Sequence, residues 1–433
     1  MIKRTNGIFI DFCTYLFIFL FLFSNLLTRV MNYYGMNINL NTLIYIILSI
    51  LLMNLFFRIS RALVKKYYWL LILIIFFTIN IFNITYCNLA SNFASTKDII
   101  VPFFISFVAL YFRNQIDKLI NYINKLFIVF ISYGVIQEIV WYKFNSLSNL
   151  LPWDDSYIQE MLEQGVENVF QTGGLLRFFG VMNAFVEYQI VAIVLISFLY
   201  LYRYKIRNKV LYYVNFFLCS CFLIFSLERS PIIMFLIIMF FLNYKKVFDR
   251  LFLIKTIPIA VILIIGFNLF SSSFKNNPNT QGAYMRIYNI ITFNLSEDDA
   301  INARKEVQWA NSENIIKKPQ TFFGLGGGTI SSEGESIDRE HYIGPHNNIF
   351  GYYIAYGFCG LLLFLILHID LLKKSKKLNR DCKMYMYGLM LAYLAMAWFN
   401  MPYLSKQGSI YFLVIFTILI DKNNYEILDE HSN

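Results

Sequence analysis

The residues best suited to chemistry lie where a long polar stretch of this 433-residue chain gives way to an apolar one. His346 stands at that boundary, followed by Asn347, and a glycine-rich run from Gly324 to Gly328 precedes it. Imidazole titrates near neutral pH, so His346 could act as a general base. The first turn of a helix favours an anion, and glycine lets a backbone approach another molecule closely. The pattern indicates a site for a phosphate-bearing substrate; the alternative is an interfacial histidine without a catalytic role.

Four arginines stand apart from the basic clusters of the chain, namely Arg177, Arg229, Arg286 and Arg304. The planar guanidinium contacts phosphate oxygens in pairs, so several such residues facing one cavity would bind a pyrophosphate without a metal ion. The alternatives are a local pair with Glu228 for Arg229 and an exposed helix or loop charge for Arg286 and Arg304.

Two glutamates, Glu138 and Glu187, fall within apolar stretches, where a charge is costly. An ionisable group at such a position is a functional candidate, unless it lies at the interface with water. Glu187 is the second candidate for the general base, after His346.

Acidic residues cluster in two places. Ser296, followed by the acids at 297 to 299, is typical of the capped start of a helix, although the same acids could bind a metal. The second cluster is interpreted as a solvated acidic face and comprises Asp154, Asp155, Glu160, Glu163 and Glu167. The sequence lacks the common motifs for nucleotide, zinc or serine hydrolysis, so we expect no metal and no cofactor.

The elements that must position these residues are membrane helices. Hydrophobic residues make up 58% of the chain, aromatic residues 19% and charged residues only 15%, and the mean hydropathy is +0.54. A helix needs roughly 20 apolar residues to cross the hydrocarbon core. The composition predicts an all-α, polytopic integral membrane protein whose residues 1–433 form a single membrane domain with twelve spans: 8–27, 39–57, 67–87, 98–112, 119–142, 184–202, 210–227, 231–244, 251–270, 348–369, 384–399 and 409–420.

The distribution of the basic residues predicts the orientation of these spans. Of 37 lysines and arginines, 24 lie in clusters at alternate ends of the apolar stretches. Positive residues favour the cytoplasmic side, which puts both termini in the cytoplasm and two long polar segments, 143–183 and 271–347, outside. Because the net charge of +10 follows this pattern, it does not indicate nucleic-acid binding. The six scattered cysteines are interpreted as small apolar residues.

The chain resembles the Wzy-type O-antigen and capsule polymerases and their relatives, the O-antigen ligases. The resemblance covers the topology, with a dominant outer loop before the late helices. At residue level it rests on a few patches in a shared order: Arg177 with Gly180, Arg229 with Ser230, Arg304 and Trp309, Pro319 with Gly324-Leu325-Gly326, and His346-Asn347-Asn348 followed by Gly357 and Gly360.

The resemblance implies a GT-C-like membrane glycosyltransferase in the bacterial inner membrane, with its large loop in the periplasm. Its donor would be an undecaprenyl-pyrophosphate-linked glycan, and its partners a chain-length regulator and a flippase. It also implies that Asn347 contributes to the substrate site, and that direct displacement, with His346 as base, inverts the anomeric centre. Polymerase is the preferred reading, ligase the alternative, and a flippase or other transporter the alternative outside the enzyme class. A transporter would be expected to show internal repeats and mid-membrane ionisable residues.

The predicted orientation can be tested by cysteine labelling. A cysteine at Ser332, in the segment predicted outside, should react with an impermeant thiol reagent in intact spheroplasts. One at Ser375, among the basic residues predicted inside, should react only after lysis. The reverse pattern would contradict the orientation.

Overall fold

The described part of the chain is helical almost throughout. The computed structural model describes residues 2–36, 38, 40–56, 68–113, 115–144, 146–163, 171–172, 175–176, 179–225, 229–247, 322–330, 347–399 and 401–425. The chain divides into two compact units. Unit 1 comprises Met1–Phe17, Tyr45–Ile120 and Asp299–Asn433, and unit 2 comprises Ile18–Ile44 and Asn121–Asp298.

The helices are numbered here in chain order. They are α1 Ile2–Tyr33, α2 Leu40–Phe56, α3 Tyr68–Asn80, α4 Leu89–Val108, α5 Ile116–Phe144, α6 Pro152–Glu163, α7 Phe185–Leu201, α8 Lys209–Phe225, α9 Arg229–Val247, α10 Asn348–Ser375, α11 Arg380–Phe399 and α12 Ser405–Ile420. Short 3-10 turns occur at Ala109–Phe112, Arg203–Lys205, Gly327–Thr329 and Lys422–Asn424. Two short strands, β1 Gln171–Thr172 and β2 Leu175–Leu176, pair antiparallel with Gln171 opposite Leu176.

Eleven of the twelve predicted spans coincide at least in part with helices, and the ninth, 251–270, lies outside the described residues. Four described helical stretches are both long and apolar enough to cross a membrane: Ile8–Tyr33, Leu89–Phe112, Ile116–Trp141 and Asn348–Ser375. Six more are apolar but shorter. Apart from the two short strands, the described residues therefore support a helical membrane protein with several apolar helices, while the number of spans stays a prediction.

The boundary between the third and fourth predicted spans was placed wrongly. The third stretch was predicted to run to 87, yet α3 ends at Asn80, and α4 begins at Leu89 instead of 98. The side chain of Asn88 accepts a hydrogen bond from Ser91 N at 2.7 Å and so caps α4. The small polar residues that follow Asn88 look like a loop by hydropathy, but many of them are buried in the structure.

In unit 1, α12 packs along α4, and α10 packs on both α3 and α11. Nearly every residue of α12 is buried, as expected for a helix that is apolar all round. Aromatic rings fill the contacts: Phe103 of α4 stacks on Phe77 of α3 at 6.1 Å between centroids and contacts Phe412 of α12 at 4.8 Å.

In unit 2, α7 is the buried centre and packs against α8 and α9. Tyr188 joins α7 to α5, because its hydroxyl donates to the carbonyl of Phe130 at 2.7 Å. Gly134 makes room for this ring, since a Cβ there would lie 2.5 Å from the Tyr188 hydroxyl. A fully buried tyrosine with its hydroxyl paired in this way is stable in an apolar interior.

The structure also tests the interpretation of the cysteines and the choice of Ser375 for labelling. All six cysteines are free, in agreement with their interpretation as small apolar residues. Ser375, chosen above for labelling, is buried and donates to the Leu372 carbonyl at 2.7 Å. Lys377 is exposed two residues later and is therefore the better position for the inner cysteine.

Candidate functional site

The structure describes only part of the predicted site. Glu187 and Asn347 are described fully, and for Arg229 only the backbone, at the start of α9. The remaining predicted site residues lie outside the described part of the chain: Arg177, Arg286, Arg304 and His346. The acids at 297 to 299 also lie outside it.

Asn347 is the N-cap of α10. Its side-chain oxygen accepts from the amides of Ile349 at 2.9 Å and Phe350 at 3.1 Å. Its side-chain nitrogen donates to the carbonyl of Trp398, near the end of α11, at 3.1 Å. Both polar groups are thus engaged within the protein, and such a cap is worth about 1 kcal/mol. The helix starts where the sequence predicted, and the residue after His346 is fixed to α11.

α10 is broken at Gly357, which has φ +64° and ψ −167°. A continuous helix would pair the carbonyl of Ala355 with the amide of Cys359. Instead, Ala355 O accepts from the amide of Gly326 at 3.0 Å, and Cys359 N donates to the carbonyl of Phe322 at 3.3 Å. The carbonyl of Ile354 likewise accepts from the amide of Leu325 at 2.8 Å. The glycine-rich run therefore supplies hydrogen-bond partners that the break removes.

This segment, Phe322 to Ile330, is called the glycine turn below. Asn80 and Asn83 donate from their side chains to the carbonyls of Phe323 at 3.1 Å and Gly324 at 3.0 Å. Asn92 of α4 accepts from the amide of Gly328 at 2.9 Å. The glycines were expected to approach another molecule, but in the structure they are buried against α4 and α10. The close approach that requires glycine is made within the protein.

The glycine turn and the cap of α10 together bracket the residues before the helix. Ile330, at the end of the turn, is 1% exposed, and Asn347 is 0% exposed. Both belong to unit 1. The two described residues that flank the stretch 331–346 in sequence are thus both buried within unit 1.

A second polar cluster lies in unit 2 around Arg29 of α1, which the sequence analysis did not single out. The Arg29 guanidinium donates to the carbonyls of Met182 at 2.9 Å and Gly180 at 2.6 Å. Its Nε lies 3.3 Å from Oδ1 of Asp154, and both side chains are buried. The guanidinium also lies 4.5 Å from the ring centroid of Phe179. Arg29 therefore fixes the turn 179–182 and pairs with α6 at once.

Asp154 completes this cluster with further hydrogen bonds. Its Oδ2 accepts from the hydroxyl of Tyr133 at 2.7 Å and from the side-chain nitrogen of Gln137 at 2.6 Å. The side-chain oxygen of Gln137 in turn accepts from the amide of Gly180 at 2.8 Å. Burial raises the pKa of Asp154, while the Arg29 guanidinium and the two hydrogen bonds oppose that rise. The cluster holds the turn before α7 from α1, α5 and α6.

The interpretation of the acidic stretch as a solvated face is wrong for Asp154, which is 0% exposed. Asp155 is half-buried and Glu160 is exposed, whereas the side chains of Glu163 and Glu167 lie outside the description. Asp154 sits on the same face of α6 as the buried Ile158, one turn later. Helical spacing from Ile158 was the signal for Asp154. Arg29 could have been found by the criterion that selected the other arginines, because it is a cation at the predicted outer end of the first span.

Glu187, in the first turn of α7, is 9% exposed and lies close to this cluster. Tyr157 of α6 connects the two, because its ring lies 5.4 Å from the Arg29 guanidinium and it interacts electrostatically with Glu187. Burial raises the pKa of Tyr157 to about 12, with Arg29 acting in the opposite direction. The Tyr157 hydroxyl donates to the carbonyl of Asn183 at 3.0 Å. The structure thus brings Glu187 to the turn that follows Arg177 in sequence.

These features define a predominantly helical membrane protein. It has a capped, broken helix that begins after the predicted base in sequence, and a buried ion pair that holds the turn following Arg177 in sequence. A family model described as O-Antigen ligase (Wzy_C) matches residues 214–365, about a third of the chain. The matched stretch runs from α8 into α10 and includes the glycine turn, Asn347 and Gly357. The match supports a place in the O-antigen ligase and polymerase family, without separating its two activities. The search of curated proteins finds no match.

The Arg29–Asp154 pair predicts a stability difference between two adjacent aspartates. Asp154→Asn should lower the unfolding free energy by about 3 kcal/mol, because it leaves the Arg29 charge buried without its partner. Asp155→Asn, on the half-buried neighbour, should change it by about 0.5 kcal/mol or less. Thermal unfolding of the detergent-purified protein measures both, and equal shifts would show that the ion pair contributes little.

The glycine turn predicts a matched pair of alanine variants. Gly326 has φ +108°, and a Cβ there would lie 2.7 Å from Asn92 Oδ1 and 2.8 Å from the Asn83 carbonyl. Gly35 has φ +75°, and a Cβ there would meet nothing within 4 Å. Gly35→Ala should therefore lose about 1 kcal/mol through backbone strain alone, and Gly326→Ala about 2 kcal/mol more through overpacking. Similar melting temperatures for the two variants would contradict this packing of the glycine turn.

Proposed function

We propose that the protein polymerises undecaprenyl-pyrophosphate-linked oligosaccharide repeat units at the outer face of the inner membrane. The observation that carries the proposal is the family match at 214–365, which contains the start of α10 immediately after His346. The match supports an enzyme that handles lipid-linked glycans in a membrane. The charge distribution and the resemblance support the further proposal of a polymerase reaction, an inner-membrane location and cytoplasmic termini.

The proposed reaction is an inverting, metal-independent glycosyl transfer. The donor already carries a pyrophosphate leaving group, so the protein must stabilise the charge that develops on it and remove one proton from the acceptor hydroxyl. Arg177, Arg229, Arg286 and Arg304 would supply the first function. His346 would supply the second, with Asn347 holding the adjoining helix start in place. A chain-length regulator and a flippase are the proposed partners.

The described contacts bear on how two of these residues would work. Asn347 has its acceptor oxygen committed to the α10 amides, so its contribution to substrate would be chiefly to position His346. Arg177, proposed to bind the pyrophosphate, precedes a turn in sequence. Arg29, Gln137 and Tyr157 hold that turn in place through hydrogen bonds. Glu187, close to the same turn, remains the second candidate for the base.

A ligase is the second candidate, and the description of the matching family, O-Antigen ligase, favours it. A ligase would transfer the finished glycan to lipid A core, whereas a polymerase transfers it to another lipid-linked repeat unit. Both reactions break the same bond to pyrophosphate and need the same residue types. The difference lies in the acceptor.

Glycan electrophoresis of a deletion strain separates the two activities. Loss of the polymerase should leave a single repeat unit on the lipid A core, because ligation continues. Loss of the ligase should leave the core bare. A bare core would replace the proposed activity with the alternative, and unchanged long chains would argue against both.

Complementation of that strain tests the proposed base. His346→Ala should reduce polymer formation by roughly 10² to 10⁴, the usual scale for losing acid-base catalysis, at an unchanged protein level. His341→Ala is the matched control on the same polar stretch and should restore polymer. Asn347→Ala should instead lower the melting temperature, since it removes the helix cap. Normal polymer from His346→Ala at matched expression would move the search for the base to Glu187.

A further inference from the structure

A buried aromatic cluster lies in unit 1, between α10, α11 and α12. His368 of α10 lies at its centre, 5.2 Å from the ring centroid of Tyr403 and 6.1 Å from that of Tyr411. Tyr411 lies 4.2 Å from Tyr393 of α11. His368 is 5% exposed, Tyr403 is 1% exposed and Tyr411 is 0% exposed. These polar groups therefore have no access to bulk water.

The hydrogen bonds of His368 determine what its ring can still do. Its Nδ1 lies 2.9 Å from the carbonyl of Phe364, an acceptor, so Nδ1 carries the proton and donates. In the neutral ring, Nε2 is then an acceptor with a free lone pair. Across the described part of the chain, Nε2 has no hydrogen-bond partner. An imidazole with one nitrogen fixed and the other unpaired is incompletely satisfied.

In the described part of the chain, side chains near His368 also have polar atoms without a hydrogen-bond partner. The hydroxyl of Tyr352 and the side-chain nitrogen of Asn348 are buried without a hydrogen-bond partner among the described residues. The hydroxyls of Tyr403 and Tyr411 are buried beside them and interact with each other, which leaves each hydroxyl with unused hydrogen-bond capacity. Buried polar groups in proteins are nearly always paired with protein or with ordered water. So many unpaired groups around one histidine indicate a bound species.

The chemistry of the unpaired groups selects that species. They include a donor, the amide of Asn348, an acceptor, Nε2 of His368, and tyrosine hydroxyls that can do either. A cation would lack a carboxylate ligand among these side chains and would face the Asn348 donor. An anion would face the lone pair of His368, and the buried Lys406 at the start of α12 is already engaged. Water, which donates and accepts, fits all of them.

We propose that this cluster is an internal hydration site in the membrane-embedded part of unit 1. Tyr352, before the break at Gly357, stacks on Phe364 after it at 4.5 Å between centroids, so the site lies between the two halves of α10. The site extends to Asn348, in the first turn of α10, whose side-chain oxygen accepts from the amide of Tyr403 at 3.4 Å. The proposed water therefore contacts the first turn of α10, the helix that begins after His346 in sequence.

Radiolytic footprinting of the purified protein tests for this water. X-rays convert water to hydroxyl radicals that modify adjacent rings, and mass spectrometry locates the products. Tyr403 and Tyr411 should be modified despite their burial. Tyr188 is the control, because it is equally buried but pairs with Phe130 O. Modification of Tyr403 and Tyr411 no greater than that of Tyr188 would overturn the proposal.

Phenylalanine substitutions give an independent result. If the site is dry, Tyr352→Phe removes an unpaired hydroxyl and should raise the melting temperature. If it holds water, the water loses a partner, and the melting temperature should fall by a few degrees. Tyr188→Phe should lower it in either case, since it loses a hydrogen bond within the protein. A higher melting temperature for Tyr352→Phe would overturn the proposal.

Discussion

The requirement that every backbone amide and carbonyl in an apolar interior be paired explains why the glycine turn is built as it is. A break in an apolar helix leaves carbonyls and amides that lipid cannot satisfy, and each unpaired group costs several kcal/mol. α10 breaks at Gly357, and the glycine turn pairs with the groups on both sides of the break. The asparagines of α3 and α4 and the run of glycines follow from this requirement, because a side chain in the turn would prevent the contact.

The buried ion pair in unit 2 is a different answer to a similar problem. Arg29 and Asp154 do not simply neutralise each other. Each also forms two further hydrogen bonds, to backbone carbonyls in one case and to Tyr133 and Gln137 in the other. Because Arg29 binds two carbonyls of the turn 179–182 as well as Asp154, a displacement of this turn would leave buried polar groups unpaired.

Local sequence patterns predicted the helices and the start of α10 well, because apolar runs and caps are local signals. These local patterns could not predict the long-range polar contacts. Nothing in the apolar run after Asn348 indicates that Gly357 takes φ +64°, since glycine also occurs in continuous membrane helices. The partners of Arg29 lie more than a hundred residues away. Asp154 could have been separated from the solvated acids by its spacing to Ile158, whereas Asn92 as the acceptor for Gly328 could not have been predicted from either sequence neighbourhood.

The pairing of the glycine turn with α10 has an evolutionary consequence. Both segments belong to unit 1, and their contacts join parts of the chain that lie apart in sequence. A substitution that straightened α10 at Gly357 would leave the amides of the turn unpaired, and a bulkier residue in the turn would leave the carbonyls at the break unpaired. The two segments should therefore coevolve, because a change in either one alone removes the partner of the other.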